Sequence, residues 1–194
     1  DENGDGLLTE AEFEAARRAE GEPGFSVAAS AHRDDLYVVK YITPLAQNRA
    51  ALGLDIGSDP VKLGAIENAA ASGEATLSGK VTLIQDPSQS PGFLYLLPLF
   101  ADAPPKGQAS SQNPKLLGLF SAPILVRQLL ADTHQLVQDE VEFQLFDGTE
   151  VSAASQVFAY PAKPGPVDFS GQRVFSDSKT LLVGNTVLTL NTGS

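Results

Sequence analysis

Asp59–Ile84, DPVKLGAIENAAASGEATLSGKVTLI, changes its hydrophobic period halfway along. Asp59 is a good N-cap, Pro60 suits a first helical turn, and Gly73 is a stop signal, so the first half predicts a helix. Leu63, Ile66, Ala69 and Ala70 fall on one face at helical spacing. From Glu74 the pattern alternates. Ala75, Leu77, Val81 and Leu83 point one way, and Thr76, Ser78, Lys80, Thr82 and Ile84 the other. A capped helix running straight into an alternating strand predicts a helix packed on a sheet.

Outward from that stretch, the pattern repeats in outline. Phe93–Phe100, FLYLLPLF, is a nearly continuous apolar strand, as expected when both faces are covered. Its Pro98 places it at an edge or a bulge. After a polar, Pro-rich loop, Lys115–Phe120 predicts another strand, and Ser121–Val137 a second capped helix with Ser121 as the cap. Glu140–Phe146 alternates again, and Asp147-Gly148 is a hairpin turn signal. Arg173–Leu190 predicts a final pair of strands. Upstream, Glu10–Ala19 predicts a short helix ended by the Gly21–Gly24 break. Phe25–Ser30 and Leu36–Ile42 look strand-like, and the connection after them holds a helical turn around Asn48–Leu52. The order predicts an α+β fold whose strand runs form antiparallel sheets, with two related halves and no sequence repeat between them.

The 194 residues suit one large domain or two small ones, and 42% hydrophobic residues are enough for a core. Thirteen basic against 24 acidic residues give a formal net charge of -11, a surface that repels phosphate backbones and argues against nucleic acid. Cysteine is absent, so there is no disulfide framework and no thiolate site. No apolar run is long enough to cross a bilayer. A chain that starts at Asp1 and lacks Met is expected to be an excised fragment.

The acidic opening, Asp1–Glu12, matches a twelve-residue calcium loop along its full length. Asp1, Asn3, Asp5, the Leu7 carbonyl, Thr9 through a water, and Glu12 supply the oxygens, and Gly6 makes the turn. A second reading stays open. Thr9–Glu12 is also a capping box, which accounts for two of the six positions without a metal. A lone loop of this kind braces a helix rather than sensing calcium.

Tyr37–Pro60, YVVKYITPLAQNRAALGLDIGSDP, continues through the helix VKLGAIENAAASG, the strand ATLSGKVTLIQD and then GFLYLLPLF. In order and spacing these segments resemble the CHASE domain, the extracellular sensor module of membrane histidine kinases and cyclases. LTEAEFEAARRAEGEPGFSV and LLGLFSAPILVRQLLAD look like that family too, so the resemblance reaches about Gly148. It implies a stalk helix followed by two PAS-like α/β halves, the membrane-distal one binding a small ligand, between two transmembrane helices absent from this chain. The corresponding division is 1–21, 22–118 and 119–194. In plant cytokinin receptors of the family an acidic side chain on the helix grips adenine. Lys62 stands near that position here, so a cytokinin is not implied. Family contacts map onto Ser78, Ile84 and Leu96. Lys80 and Thr82 beside them suit an anionic or carbonyl-bearing ligand, or else lie on a solvated strand face.

His32 and His134 have no partner of metal-site spacing, no Ser stands in a nucleophile elbow, and no phosphate loop appears. No constellation supports an enzyme. The expected function is a periplasmic or extracellular small-molecule sensor, homodimeric in its full-length receptor. It would touch the membrane only through flanking segments and act on a cytoplasmic kinase or cyclase. The alternative is a calcium-stabilised adhesion or carbohydrate-binding module.

Overall fold

A computed structural model describes residues 8–28, 35–83, 86, 88–101, 115–131, 141–160 and 176–193. The expected α+β class is what these residues form: short helices and two antiparallel sheets. The chain divides into two compact units, Asp1–Leu63 and Gly64–Ser194.

In the first unit, helix α1 (Glu10–Ala19) begins at a complete capping box and carries Glu10 and Glu12 in its first turn and Arg17 and Arg18 in its last, favouring its dipole. Phe13 meets Phe25 edge to face at 5.6 Å. Arg17 is buried, its guanidinium 4.5 Å from the Tyr41 ring centroid, 5.6 Å from that of Phe25 and 2.6 Å from the Glu20 carboxylate. The buried Arg17 Nε has no hydrogen-bond partner, and the two rings are its compensation. The two strands expected from Phe25–Ser30 and Leu36–Ile42 do not form. Within the described residues they are reduced to single bridges, Ala28 to Leu54 and Val38 to Asp55. The buried Asp55 carboxylate takes the Tyr37 amide at 2.9 Å, so that donor goes to a side chain instead of a ladder, and it also accepts the Gly57 amide at 3.1 Å. Helix α2 (Leu45–Asn48) follows a cis Thr43–Pro44 bond.

Helix α3 (Pro60–Ser72) is as the sequence predicts. Asp59 Oδ1 accepts the Val61 and Lys62 amides at 2.9 and 3.3 Å, and Gly73 ends the helix at φ +70°. Ala65, Ile66 and Ala69 are its buried positions.

The first sheet of the second unit has the long strand β3 (Pro91–Phe100) at its centre. Two short strands, β1 (Thr76–Leu77) and β2 (Val81–Thr82), pair with one edge of it and β4 (Leu116–Leu125) with the other. Thr76 faces Leu96, whereas Val81 faces Gly92, so one extra residue sits in the Ser78–Lys80 break. A one-residue insertion reverses the face that each later side chain takes. Leu77 and Val81, expected on one side, therefore lie on opposite sides.

The expected helix over Ser121–Val137 is a correction. Residues 121–125 continue β4, only Val126–Leu129 is helical (α4), and the residues from 132 to 137 lie outside those described. Pairing with β3 decides it. Ser121 opposes Leu96 and Pro123 opposes Leu94, and the odd positions of β4 turn their backbone away from β3, so Pro123 needs no donor there. Pro98 obeys the same rule. It faces the β1 side of β3, two residues past the last β1 partner, Leu96, and the register shifts between Leu99 and Phe100.

The second sheet has the order β6-β5-β8-β7, from β5 (Glu142–Asp147), β6 (Gln156–Tyr160), β7 (Ser176–Val183) and β8 (Thr186–Gly193). The expected final pair is β7 and β8, joined by Gly184 (φ +51°) and Asn185 (φ +64°), the two positive angles of a type I′ turn. The turn expected at Asp147-Gly148 opens the connection of the antiparallel pair β5 and β6, with Gly148 at φ +80°. Gly148 donates its amide to Val187 at 2.8 Å, and the chain takes eight residues, 148–155, to reach β6. Leu77, Phe93 and Val126 of the first sheet region pack with Val157 and Leu188 of the second in one buried cluster.

Candidate functional site

Even and odd positions of β3 have different fates. Leu94, Leu96 and Pro98 are buried, and the end of α3 lies against this side, a Cβ at Gly73 falling 3.9 Å from Phe100. The sequence predicts cover on the odd side too, and among the described residues it is found at one end, where Phe93 enters the inter-sheet cluster. Farther along, Tyr95, Leu97 and Leu99 are exposed, Leu97 by 42%. On β4, Phe120 stands opposite Leu97 and is 64% exposed, and Ala122 stands opposite Tyr95. Direct cross-strand partners share a face, so these side chains form one apolar strip with the Tyr95 ring at the edge of the buried cluster. Single exposed apolar residues are ordinary on a protein surface. A contiguous strip on a sheet face is a candidate binding surface.

Among the described residues of the second unit, Ser78 and Leu96 share one face of the first sheet and Thr82 lies on the other. Ser78 and Leu96 are wholly buried on the α3 side of the sheet. Ser78 Oγ accepts the Leu94 amide at 2.8 Å and donates to the Gly79 carbonyl at 2.7 Å, so both its capacities serve the break in the strand. Lys80 donates its ammonium to the Ala154 carbonyl at 2.6 Å and its amide to the Asp147 carboxylate at 2.6 Å. Thr82 is exposed and, opposite Pro91, lies on the other face from Ser78. Lys62 belongs to the first unit, with its ammonium 3.6 Å from the Asp59 carboxylate. Ile84 lies outside the described residues. The apolar strip was legible in FLYLLPLF and LLGLF only as strand, because sequence alone does not show which side a helix leaves open.

Asp1, Asn3, Asp5 and Leu7 of the acidic opening also lie outside the described residues. Glu12 and Thr9 are within them, and form the capping box: Glu12 Oε2 accepts the Thr9 amide at 2.7 Å and its hydroxyl at 2.8 Å. Among the described residues no three His, Cys, Asp or Glu side chains are grouped to hold a metal.

Among the described residues, three carboxylates titrate below their usual range. Hydrogen bonds from Ser88, with those of Ser90, hold Asp86 down to about 2. The Val27 amide, then Arg18, lowers Glu14, and the Arg17 and Tyr41 hydrogen bonds lower Glu20.

The family model of the CHASE domain matches residues 8–158 of the 194. The chain belongs to the CHASE family. No curated protein matches it. CHASE domains are extracellular sensor modules of signalling receptors and do not themselves catalyse. No helix among the described residues is long and apolar enough to cross a membrane.

Proposed function

We propose that this CHASE domain is the ligand-binding part of a transmembrane signalling protein, and that it takes a flat, largely apolar small molecule on the open stretch of the β3–β4 face. The observation that carries the reading is the strip Tyr95, Leu97, Leu99 and Phe120, exposed on the face opposite the buried Leu94, Leu96 and Pro98 of β3. An aromatic floor beside a packed cluster offers stacking and apolar burial, each buried CH₂ contributing about 0.8 kcal/mol. A charged ligand end has no support from Lys80, whose ammonium is taken by Ala154.

In this reading the first sheet belongs to the membrane-distal PAS-like half and the β5–β8 sheet to the membrane-proximal half. Binding shifts the population between two arrangements of the proximal half, in a homodimer whose output is a kinase or cyclase. Calcium in the acidic opening braces α1 and takes no part in the signal. The test is a thermal-shift panel of purine bases, indoles and aromatic carboxylates against the folded chain. At least one class raises Tm by several degrees. A panel that leaves Tm unmoved throughout overturns the reading.

A further inference from the structure

The Ser78–Lys80 break is where the two sheets of the second unit hold each other. The Leu77 amide donates to the Gly184 carbonyl at 2.7 Å, and the Thr186 hydroxyl donates to the Leu77 carbonyl. Three residues later the Lys80 amide reaches Asp147 at the end of β5, and its ammonium reaches Ala154 in the β5–β6 loop. The receiving elements are tied to one another: the Gly148 amide donates to Val187, and the Thr189 hydroxyl to the Gly148 carbonyl at 2.8 Å. The approach at the turn is close, since a Cβ at Gly184 would stand 3.0 Å from the Leu77 nitrogen. On the other side Ser78 exchanges two bonds with Leu94, both 2.8 Å, so the same residues are fixed to the strand that carries Tyr95 and Leu97.

We infer that the Leu77–Lys80 segment is a clasp that couples the opening of the two sheets, passing a change at the β3–β4 face to the β5–β8 sheet. Leu77, Ser78 and Lys80 carry six hydrogen bonds, to β3, β5, the β5–β6 loop, Gly184 of the β7–β8 turn and Thr186 of β8. A bulge suits this work. Its extra residue leaves the ladder and frees its backbone groups for partners outside the sheet. Asp147 and Lys80 are 67 positions apart, and their bond adds to the Leu77 bonds and the packed cluster in joining the two sheets. The inference rests on the sensor reading only for the direction of transmission. The mechanical link stands without a ligand.

Native-state amide exchange on the whole chain tests it, by mass spectrometry at low denaturant. In the wild-type chain, peptides from β3–β4 and from β5 and β8 open with the same free energy. In Lys80→Met/Asp147→Ala, peptides 142–147 and 186–193 exchange at least tenfold faster while peptides 91–100 keep their protection. Asp147→Asn, which keeps the shape and loses the charge, shows a smaller rise in the same peptides and serves if the double variant does not fold. Equal loss of protection in both sheets, change confined to the substituted loops, or sheets that already open independently in the wild type would each overturn the clasp. A ligand panel without a hit leaves this result untouched, so the two failures are distinguishable.

Discussion

The Ser78 hydroxyl accepts the amide of Leu94 at 2.8 Å, in the place where a regular antiparallel ladder would put the Ser78 carbonyl. The Ser78 amide still donates to the Leu94 carbonyl, so the side chain has replaced half of one ladder pair. The consequence is a strand that turns away to meet the second sheet without orphaning a buried donor on β3.

Ser78→Ala removes that acceptor in a wholly buried setting. The Leu94 amide is then desolvated and unpaired, which costs about 1–3 kcal/mol. Urea denaturation is expected to show a lower midpoint at unchanged slope. A midpoint equal to the wild type would mean that water fills the place.

Gly53→Ala strikes the first unit at its tightest point. Gly53 has φ +83°, and a Cβ there would lie 2.1 Å from the Ser26 carbonyl oxygen. The left-handed angle alone costs an L residue about 1–2 kcal/mol, and the clash adds to it. Gly24→Ala, with open space around its Cβ, is the control and is expected to melt near the wild type.

Acid is expected to destabilise the protein through Asp86, Glu14 and Glu20. Their folded pKa values lie below the usual ones of 3.8 and 4.5, so the unfolded chain takes up protons first as pH falls. Their contribution is complete above pH 4.5 and is lost as pH falls through the folded values, for Asp86 between 3.8 and about 2. Asp86→Asn should flatten the lower part of that fall in a Tm-against-pH series, where the wild type stays steep.

Calcium titrated by calorimetry separates the two readings of the acidic opening. Binding with Kd of about 10⁻⁴ to 10⁻³ M is expected for the wild-type chain and no heat for Asp1→Ala/Glu12→Gln. Gln at position 12 still serves the capping box, so helix α1 survives the substitution. Equal heats from both chains would leave the box as the whole role of Glu12.

The helix at Asp59–Gly73 was legible because its determinants are local, an Asx cap with Pro after it, and the final strand pair was legible as strands, with the Gly184-Asn185 turn shown by the structure. The errors came where a distant partner decides. Pro123 after Ser121 suits a helix's first turn as well as an edge strand, and only the partner β3 selects the strand. The alternation from Ala75 to Ile84 counted every residue, and one residue too many at Ser78–Lys80 reversed the faces after it. Distant partners also escape the sequence at Lys80, where nothing in the neighbouring residues announces Ala154 or Asp147. The open strip stayed hidden because apolar residues on a strand give no sign of which side is covered.

The most direct measurement takes the first compound that stabilises the wild-type chain and titrates it into Leu97→Ser/Phe120→Ser. Both side chains are exposed, so the variant is expected to melt close to the wild type while its affinity falls at least tenfold. A variant that folds as well and binds as tightly would place the ligand elsewhere and contradict the account.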